Sequence, residues 1–178
     1  MGFKEIVTKA VVGKGKKFFK NNYSIKTEIM PSTVLGCWVI NHKFKGYKSG
    51  DSIGVDGSYD VNIWYSYEND SKTMVVSKKI DYNEFFNVKI KEDFDLTSDT
   101  DIIVRTLKQP SCTHVEIDDE GNINFNIEKE MGVEIVGETK FKIATEGYEE
   151  EWEDLDNDVN DEVLDEIDSN VNENYINE

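Results

Sequence analysis

The segment SYDVNIWYSYENDSKT, residues 58–73, alternates apolar and polar side chains more regularly than any other part of the chain. A period of two is typical of a strand that buries one face, because successive side chains of a strand point to opposite sides. One large residue breaks the pattern, since Trp64 falls on the polar side. The apolar face carries Tyr59, Val61, Ile63, Tyr65 and Tyr67, and the polar face carries Asp60, Asn62 and Ser66.

The segment KTMVVSKKIDY, residues 72–82, fits the return strand of a hairpin closed by a four-residue loop, residues 68–71. This register sets Trp64 opposite Val75 on the polar face and Asp60 opposite Lys79. A slip by one residue would turn the apolar set outward, so the pattern itself fixes the pairing. On the apolar face the same register predicts the pairs Tyr65–Met74, Ile63–Val76 and Tyr59–Ile80.

Residue composition extends the β assignment to the whole body. The chain has 17 Val, 17 Ile and 10 Thr but only 2 Ala and 5 Leu, and β-branched residues favour strands whereas Ala and Leu favour helices. We therefore predict an all-β fold, an antiparallel β-sandwich or open barrel of about 8–10 short strands. It would include a short helix over residues 3–9, a strand over 18–23 and a central strand over 33–44 that is covered on both sides.

Two later segments supply further inner residues of the predicted sheets. Around DDEGN, residues 118–122, a second hairpin would pair Ile117 with Ile123 and Val115 with Phe125. The last predicted strand, residues 133–143, alternates in the same way. One of its faces would carry Val133, Ile135, Thr139, Phe141 and Ile143.

The net charge of −17 is distributed very unevenly. Residues 1–145 hold all 20 basic and 22 acidic residues, a net charge of −2, whereas residues 146–178 hold 15 acidic residues and no Lys or Arg. The acidic segment has few apolar residues and cannot bury enough surface to offset the entropy lost on folding. The sequence therefore predicts a β-rich domain, 1–145, and an acidic, largely disordered interaction tail, 146–178.

The acidic tail also carries apolar residues at helical spacing, namely Trp152, Leu155, Val159, Val163 and Ile167. On a helix these five would form one usable face, which favours a segment that folds on a basic, apolar groove of a partner. The alternative is a solvated tail with scattered apolar residues.

The spacing of the residue types that bind metals or perform catalysis does not predict that they come together in one site. Cys37 and His42 would point to opposite faces of one strand, and Cys112 and His114 would share a polar face, so no zinc site is expected. Residues 154–165 begin with the acid spacing of a calcium loop, but Val159 stands where that loop requires Gly. We predict no metal, no cofactor and no enzymatic activity.

Partners and location are constrained by charge and hydropathy. Lysines 14, 16, 17 and 20 lie among aromatic residues, yet the acidic tail would compete with a nucleic acid for them, so nucleic-acid binding is not expected. No apolar stretch is long enough to span a bilayer, and the N-terminus lacks the apolar core of a signal peptide. These features predict synthesis in the cytosol.

Several segments, taken in this order, resemble one known family. They are FKEIVTKAVVGKGKKF, PSTVLGCWVINHKF, GSYDVNIWYSYENDSKT, LKQPSC and VEIVGETK, with a compositional match in EEEWEDLD. The chain resembles the outer spore coat morphogenetic protein CotE family of endospore-forming Firmicutes, and its Lys, Asn and Ile content suits a clostridial-type member. The resemblance covers about residues 3–143, and the tail departs from it after Asp156.

The resemblance implies a structural, non-enzymatic protein that is made in the mother-cell cytoplasm at the forespore surface and ends in the spore coat. Such proteins self-associate as homo-oligomers around the forespore, attach to inner or basal morphogenetic coat proteins and recruit outer coat client proteins. The acidic tail is associated in the family with this recruitment.

Trp64 is the main candidate for self-association, together with its neighbours Asp60 and Val75. A large aromatic ringed by polar residues is typical of an interface anchor. Two alternatives stay open: Trp64 packs beneath a segment of its own chain, or it serves a β-sandwich binding module for glycan or nucleic acid.

Overall fold

Six β-strands account for nearly all of residues 2–90 and 100–146, the parts of the chain that the computed structural model describes, and those ranges contain no helix. The strands are β1 (Gly2–Lys26), β2 (Pro31–Ser49), β3 (Ser52–Tyr67), β4 (Lys72–Phe86), β5 (Asp101–Ile117) and β6 (Asn122–Thr145). They form two antiparallel three-stranded sheets, β1-β6-β5 and β2-β3-β4. The predicted all-β antiparallel sandwich is confirmed.

The described residues divide into two units, one within Val7–Thr139 and a second that contains residues 2–6 and 140–146. Of the second unit the structure describes residues 2–6 and 140–146, which belong to β1 and β6. Its large apolar side chains are exposed there: Phe3, Ile6, Phe141 and Ile143. The sequence groups Phe141 and Ile143 on one strand face with Val133 and Ile135, but only the latter two are buried.

Two hydrophobic clusters form the core of the unit Val7–Thr139, and side chains from both sheets contribute to each. The strand β6 runs through both clusters, because its odd-numbered residues from Ile123 to Ile135 all face inward. The first cluster contains Ile25, Tyr59, Val61, Ile63, Tyr65, Ile80, Ile123, Phe125 and Ile127. The second contains Val12, Phe19, Ile53, Val55, Phe86, Met131, Val133 and Ile135.

Both predicted hairpins are confirmed in register. Strands β3 and β4 pair Trp64 with Val75, and every other pair predicted for this hairpin is also present. In the β5–β6 hairpin Ile117 pairs with Ile123, as predicted, and the Asp118 carboxylate accepts a hydrogen bond of 2.8 Å from the Asn122 backbone N–H. Alternating hydrophobicity and the turn sequences were thus sufficient to set these registers.

The segment over residues 33–44 is not a central strand, because it lies in β2 at the edge of its sheet. Register shifts at Val34/Gly36 and Ile40/Lys43 interrupt its pairing with β3. Each irregularity changes which residues point inward. Val34 therefore faces the same cluster as Cys37 and Val39, and the strand appears apolar on both faces only when it is read as a regular one.

The predictions of a helix over residues 3–9 and of 8–10 short strands were also wrong. Residues 3–9 belong to β1, and the described residues form six long strands instead. Several glycines lie within these long strands, and some of them allow other groups to approach closely. A Cβ at Gly13, for example, would lie only 3.0 Å from Cγ1 of Val88.

A lysine is buried between the sheets at Lys129, an inward position of β6 with a relative exposure of 1%. Its Nζ lies 3.2 Å from the Glu84 carboxylate of β4 and 4.1 Å from the centroid of the Tyr82 ring. The centroid of the Phe19 ring lies 4.8 Å from the same nitrogen. Burial lowers the pKa of Lys129, and the carboxylate of Glu84 opposes that shift.

This ion pair predicts an asymmetric response to mutation. Glu84→Gln should lower the free energy of unfolding by about 3 kcal/mol, because it leaves a fully buried ammonium group without its anion. Lys129→Met should cost about 1 kcal/mol or less, because Met fills similar space and the Glu84 side chain, 19% exposed, can reach water. Urea unfolding measures both, with Glu116→Gln as an exposed control, and equal costs for the two changes would contradict the asymmetry.

Candidate functional site

The outward face of the sheet β2-β3-β4 carries two exposed tryptophans on neighbouring strands. Trp64 of β3 is 43% exposed and lies opposite Val75 of β4, which is 50% exposed. On its other side Trp64 lies opposite Gly36 of β2, and a Cβ there would lie 3.6 Å from the indole ring of Trp38. The Trp38 ring therefore lies beside the Gly36 position that faces Trp64. We call the exposed set Trp38, Ile40, Trp64 and Val75 the tryptophan band.

Polar side chains border the tryptophan band and are held by hydrogen bonds. Asp60 accepts a hydrogen bond of 2.8 Å from the Asn41 side chain of β2 and lies opposite Lys79 of β4. Ser77 donates a hydrogen bond to the amide oxygen of Asn62 between the strands β3 and β4. An apolar centre with a polar rim is the usual composition of a protein interface.

Trp64, Asp60 and Val75 lie together as the sequence predicted, although their role in self-association stays a prediction. The described part of the chain leaves Trp64 largely exposed. Trp38 and Ile40 were not predicted to join them, because residues 33–44 were read as covered on both sides. The alternation of Gly36, Trp38 and Ile40 was the signal that could have found them.

The predicted tail residues Trp152, Leu155, Val159, Val163 and Ile167 lie outside the described residues. The boundary between a body of residues 1–145 and a tail of residues 146–178 likewise stays a prediction.

The outward face of the other sheet is charged, in contrast to the tryptophan band. Three glutamates of β6, the central strand, form ion pairs with cations on both neighbours, and we call this set the charge ladder. Its pairs are Lys14–Glu134 at 3.4 Å, Lys16–Glu130 at 3.8 Å, Lys20–Glu128 at 3.6 Å, Arg105–Glu134 at 3.5 Å and Lys108–Glu128 at 3.0 Å. Three lysines of the basic N-terminal segment are therefore paired within their own sheet.

A polar cluster surrounds His42 where the sheets meet. Nε2 of His42 lies 2.7 Å from the hydroxyl of Tyr82, and the Tyr59 ring packs against both side chains. Burial lowers the pKa of His42 and the nearby charge of Lys129 acts in the same direction, whereas a contact with Gln109 opposes them. Burial also raises the pKa of Tyr59 and that of Tyr82, so both phenols stay protonated at neutral pH.

The two cysteines come together, which their separation in the sequence did not indicate. Cys37 of β2 and Cys112 of β5 are free thiols that lie close together, and both pack against the first hydrophobic cluster. The histidines lie elsewhere, His42 beside Tyr82 and His114 beside Glu116. Within residues 2–90 and 100–146, no three Cys, His, Asp or Glu side chains are grouped as metal ligands would be.

A match to a known family accompanies this architecture. Residues 2–174 match the family model of the outer spore coat protein E, CotE. The chain belongs to the CotE family. The resemblance seen in the sequence is thus confirmed, and it assigns this CotE-family chain to the outer spore coat as a structural protein of sporulation. Comparisons with curated proteins and with solved structures gave no match.

Among the described residues of this CotE-family chain, no helix is long and apolar enough to cross a membrane.

The environment of His42 predicts a pH-dependent stability. The unfolded chain binds a proton at the ordinary histidine pKa of about 6.5, whereas the folded chain resists protonation. The contribution of His42 is therefore complete above that pH and is lost as the pH falls toward the lowered pKa of the folded state. The melting temperature of the wild-type chain should fall when the pH is lowered from about 7.5 to about 5, and His42→Gln should make this fall smaller.

Thermal unfolding across this pH range tests the effect, and His114→Gln is the matched control because it removes the other, exposed imidazole. An unchanged pH slope in His42→Gln would show that burial does not perturb this group.

Proposed function

We propose that this chain is a building unit of the outer spore coat that self-associates through the tryptophan band and recruits outer coat proteins through its acidic tail. The observation that supports self-association is the exposure of two neighbouring indoles on one sheet face. The proposal includes an early stage in the mother-cell cytoplasm at the forespore surface, before incorporation into the coat.

The chemistry of the tryptophan band favours a protein surface as its partner. Trp38 and Trp64 supply large apolar area, and Ile40 and Val75 extend it across all three strands. Tryptophan is enriched among residues whose truncation costs most at interfaces. Ile40 and Val75 are exposed β-branched residues beside the indoles. They suit a flat apolar protein surface better than a ligand that is held by a few hydrogen bonds.

A second copy of the chain is the partner that the surrounding charges suit. The body has a net charge of only −2, so two bodies can approach without strong repulsion. The rim contains an acid and a base side by side, since Asp60 lies opposite Lys79. In a two-fold arrangement each acid can face the base of the other copy.

The acidic tail is proposed to capture basic coat proteins. Residues 146–178 concentrate 15 acidic residues without a Lys or Arg, and exposed charges of this kind act over a screening length of about 8 Å at physiological ionic strength. After capture, Trp152 and Leu155 would be buried, followed by Val159, Val163 and Ile167. Three N-terminal lysines are already paired in the charge ladder, which leaves the tail available to other proteins.

The tryptophan band gives a direct test of self-association. Trp64→Ala should weaken association by about 30-fold, which corresponds to about 2 kcal/mol for loss of an interface anchor. Its melting temperature at a concentration where the chain is monomeric should change little, because the side chain is already exposed. Phe18→Ala is the matched control, since Phe18 is an exposed aromatic outside the band.

Sedimentation velocity and thermal unfolding measure the two effects. Intact large species together with a strongly lowered melting temperature would contradict the interface. A monomeric wild-type chain whose tryptophan fluorescence responds to an oligosaccharide or a single-stranded nucleic acid would instead support the binding-module alternative.

Recruitment by the tail should depend on salt. A chain ending at residue 145 should lose most coat proteins that the full chain retains from a coat extract, and capture by the full chain should fall several-fold between low and high salt because exposed charges are screened. Quantitative mass spectrometry of the retained proteins provides the measurement. The variant Trp152→Ala with Leu155→Ala should capture at low salt but release more easily, and salt-independent capture would contradict the charge-based step.

A further inference from the structure

We propose that Cys37 and Cys112 are the site of an oxidative cross-link within one chain, a disulfide that joins the two sheets of the sandwich. This inference does not depend on the proposed self-association.

Both cysteines occupy inward positions and contact the same part of the core. Cys37 of β2 pairs with Ile63, and Cys112 of β5 pairs with Ile127, in different sheets. Ile63 and Ile127 are buried in the first hydrophobic cluster, and both cysteines pack against it. The two thiols therefore approach the same cluster from opposite sheets.

The strands β2 and β5 lie side by side although they belong to different sheets. At one end a Cβ on Gly46 would lie 2.7 Å from Cγ2 of Val104, so a β5 side chain packs directly on the β2 backbone there. Farther along, Gln109 approaches His42, and then Cys112 meets Cys37.

These contacts run in opposite directions along the two strands, as expected for an antiparallel arrangement. The cysteines are therefore held opposite each other by the packing of both strands, and their contact is not an isolated approach of two flexible side chains.

The closeness of the two sulfurs gives the thiols different acidities. The neighbouring Cys37 lowers the pKa of Cys112, whereas the neighbouring Cys112 and burial raise the pKa of Cys37. Cys112 is thus the thiolate that reacts first, and Cys37 keeps the proton. Both side chains are partly exposed, so a small oxidant can reach them.

Hydrogen peroxide is the class of oxidant that completes the reaction. The Cys112 thiolate attacks one peroxide oxygen, the O–O bond breaks and hydroxide leaves, giving a sulfenic acid on Cys112. The sulfur of Cys37 then displaces the sulfenic hydroxyl, which leaves as water with the proton of Cys37. In sum, two thiols and one peroxide give one disulfide and two waters.

The cross-link would close a long loop of the chain and so restrict the unfolded state. Loops of this size give large stabilisation in the chain-entropy model, and the melting temperature should rise by about 10 °C. The thiols are poised within one chain, so this bond should form at a rate independent of protein concentration.

The experiment treats the full chain with hydrogen peroxide at several protein concentrations and follows intact mass, linked peptides and thermal unfolding. The expected result is a mass decrease of about 2 Da, from the two hydrogens lost, a peptide that joins Cys37 to Cys112, and a raised melting temperature that dithiothreitol reverses. Cys37→Ala and Cys112→Ala should each abolish the linked peptide and the increase in melting temperature.

Other outcomes would overturn the proposal. A disulfide-linked dimer as the main product would assign the thiols to cross-links between chains. Stable sulfenic or sulfinic acid without a linked peptide would show that the sulfurs cannot meet. A linked peptide with an unchanged melting temperature would remove the claim that the bond restrains the two sheets. These measurements on the wild-type chain do not depend on whether either variant folds.

Discussion

The ion pair between Lys129 and Glu84 lies where the two hydrophobic clusters meet, with Tyr82 packed against both clusters. A buried ammonium group tolerates few arrangements of its neighbours, because it needs an anion and further groups that interact favourably with its charge. Here a carboxylate comes from β4 and aromatic faces come from Phe19 and Tyr82. The relative position of β6 and β4 is thereby restricted in a way that apolar contacts alone would not impose.

The two outward faces of the sandwich follow from the same alternation along the strands but differ in chemistry. The tryptophan band places apolar surface on one sheet, and the charge ladder places paired ions on the other. An apolar face favours association, whereas a face of internally paired charges remains hydrated and offers little to a flat apolar partner. One body can thus offer an apolar face to a partner while its opposite face stays hydrated.

Local patterns predicted a large part of this fold, and long-range packing determined the rest. The pairing of Trp64 with Val75 followed from an uninterrupted period of two. The edge position of β2 did not, because two bulges change the inward residues between Val34 and Phe44 and imitate a strand that is buried on both faces. The burial of Lys129 and the closeness of Cys37 to Cys112 depend on contacts between the two sheets. The residues next to them in the sequence do not predict such contacts.

The charge ladder has a further consequence when water becomes scarce. Two unit charges about 4 Å apart attract by about 1 kcal/mol in bulk water but by about 4 kcal/mol at an effective dielectric constant of 20. The ladder joins β6 to both neighbouring strands through five ion pairs. Drying would therefore tighten this sheet, even as it weakened contacts that rely on the exclusion of water, and a protein of the spore exterior would be stiffened by desiccation itself.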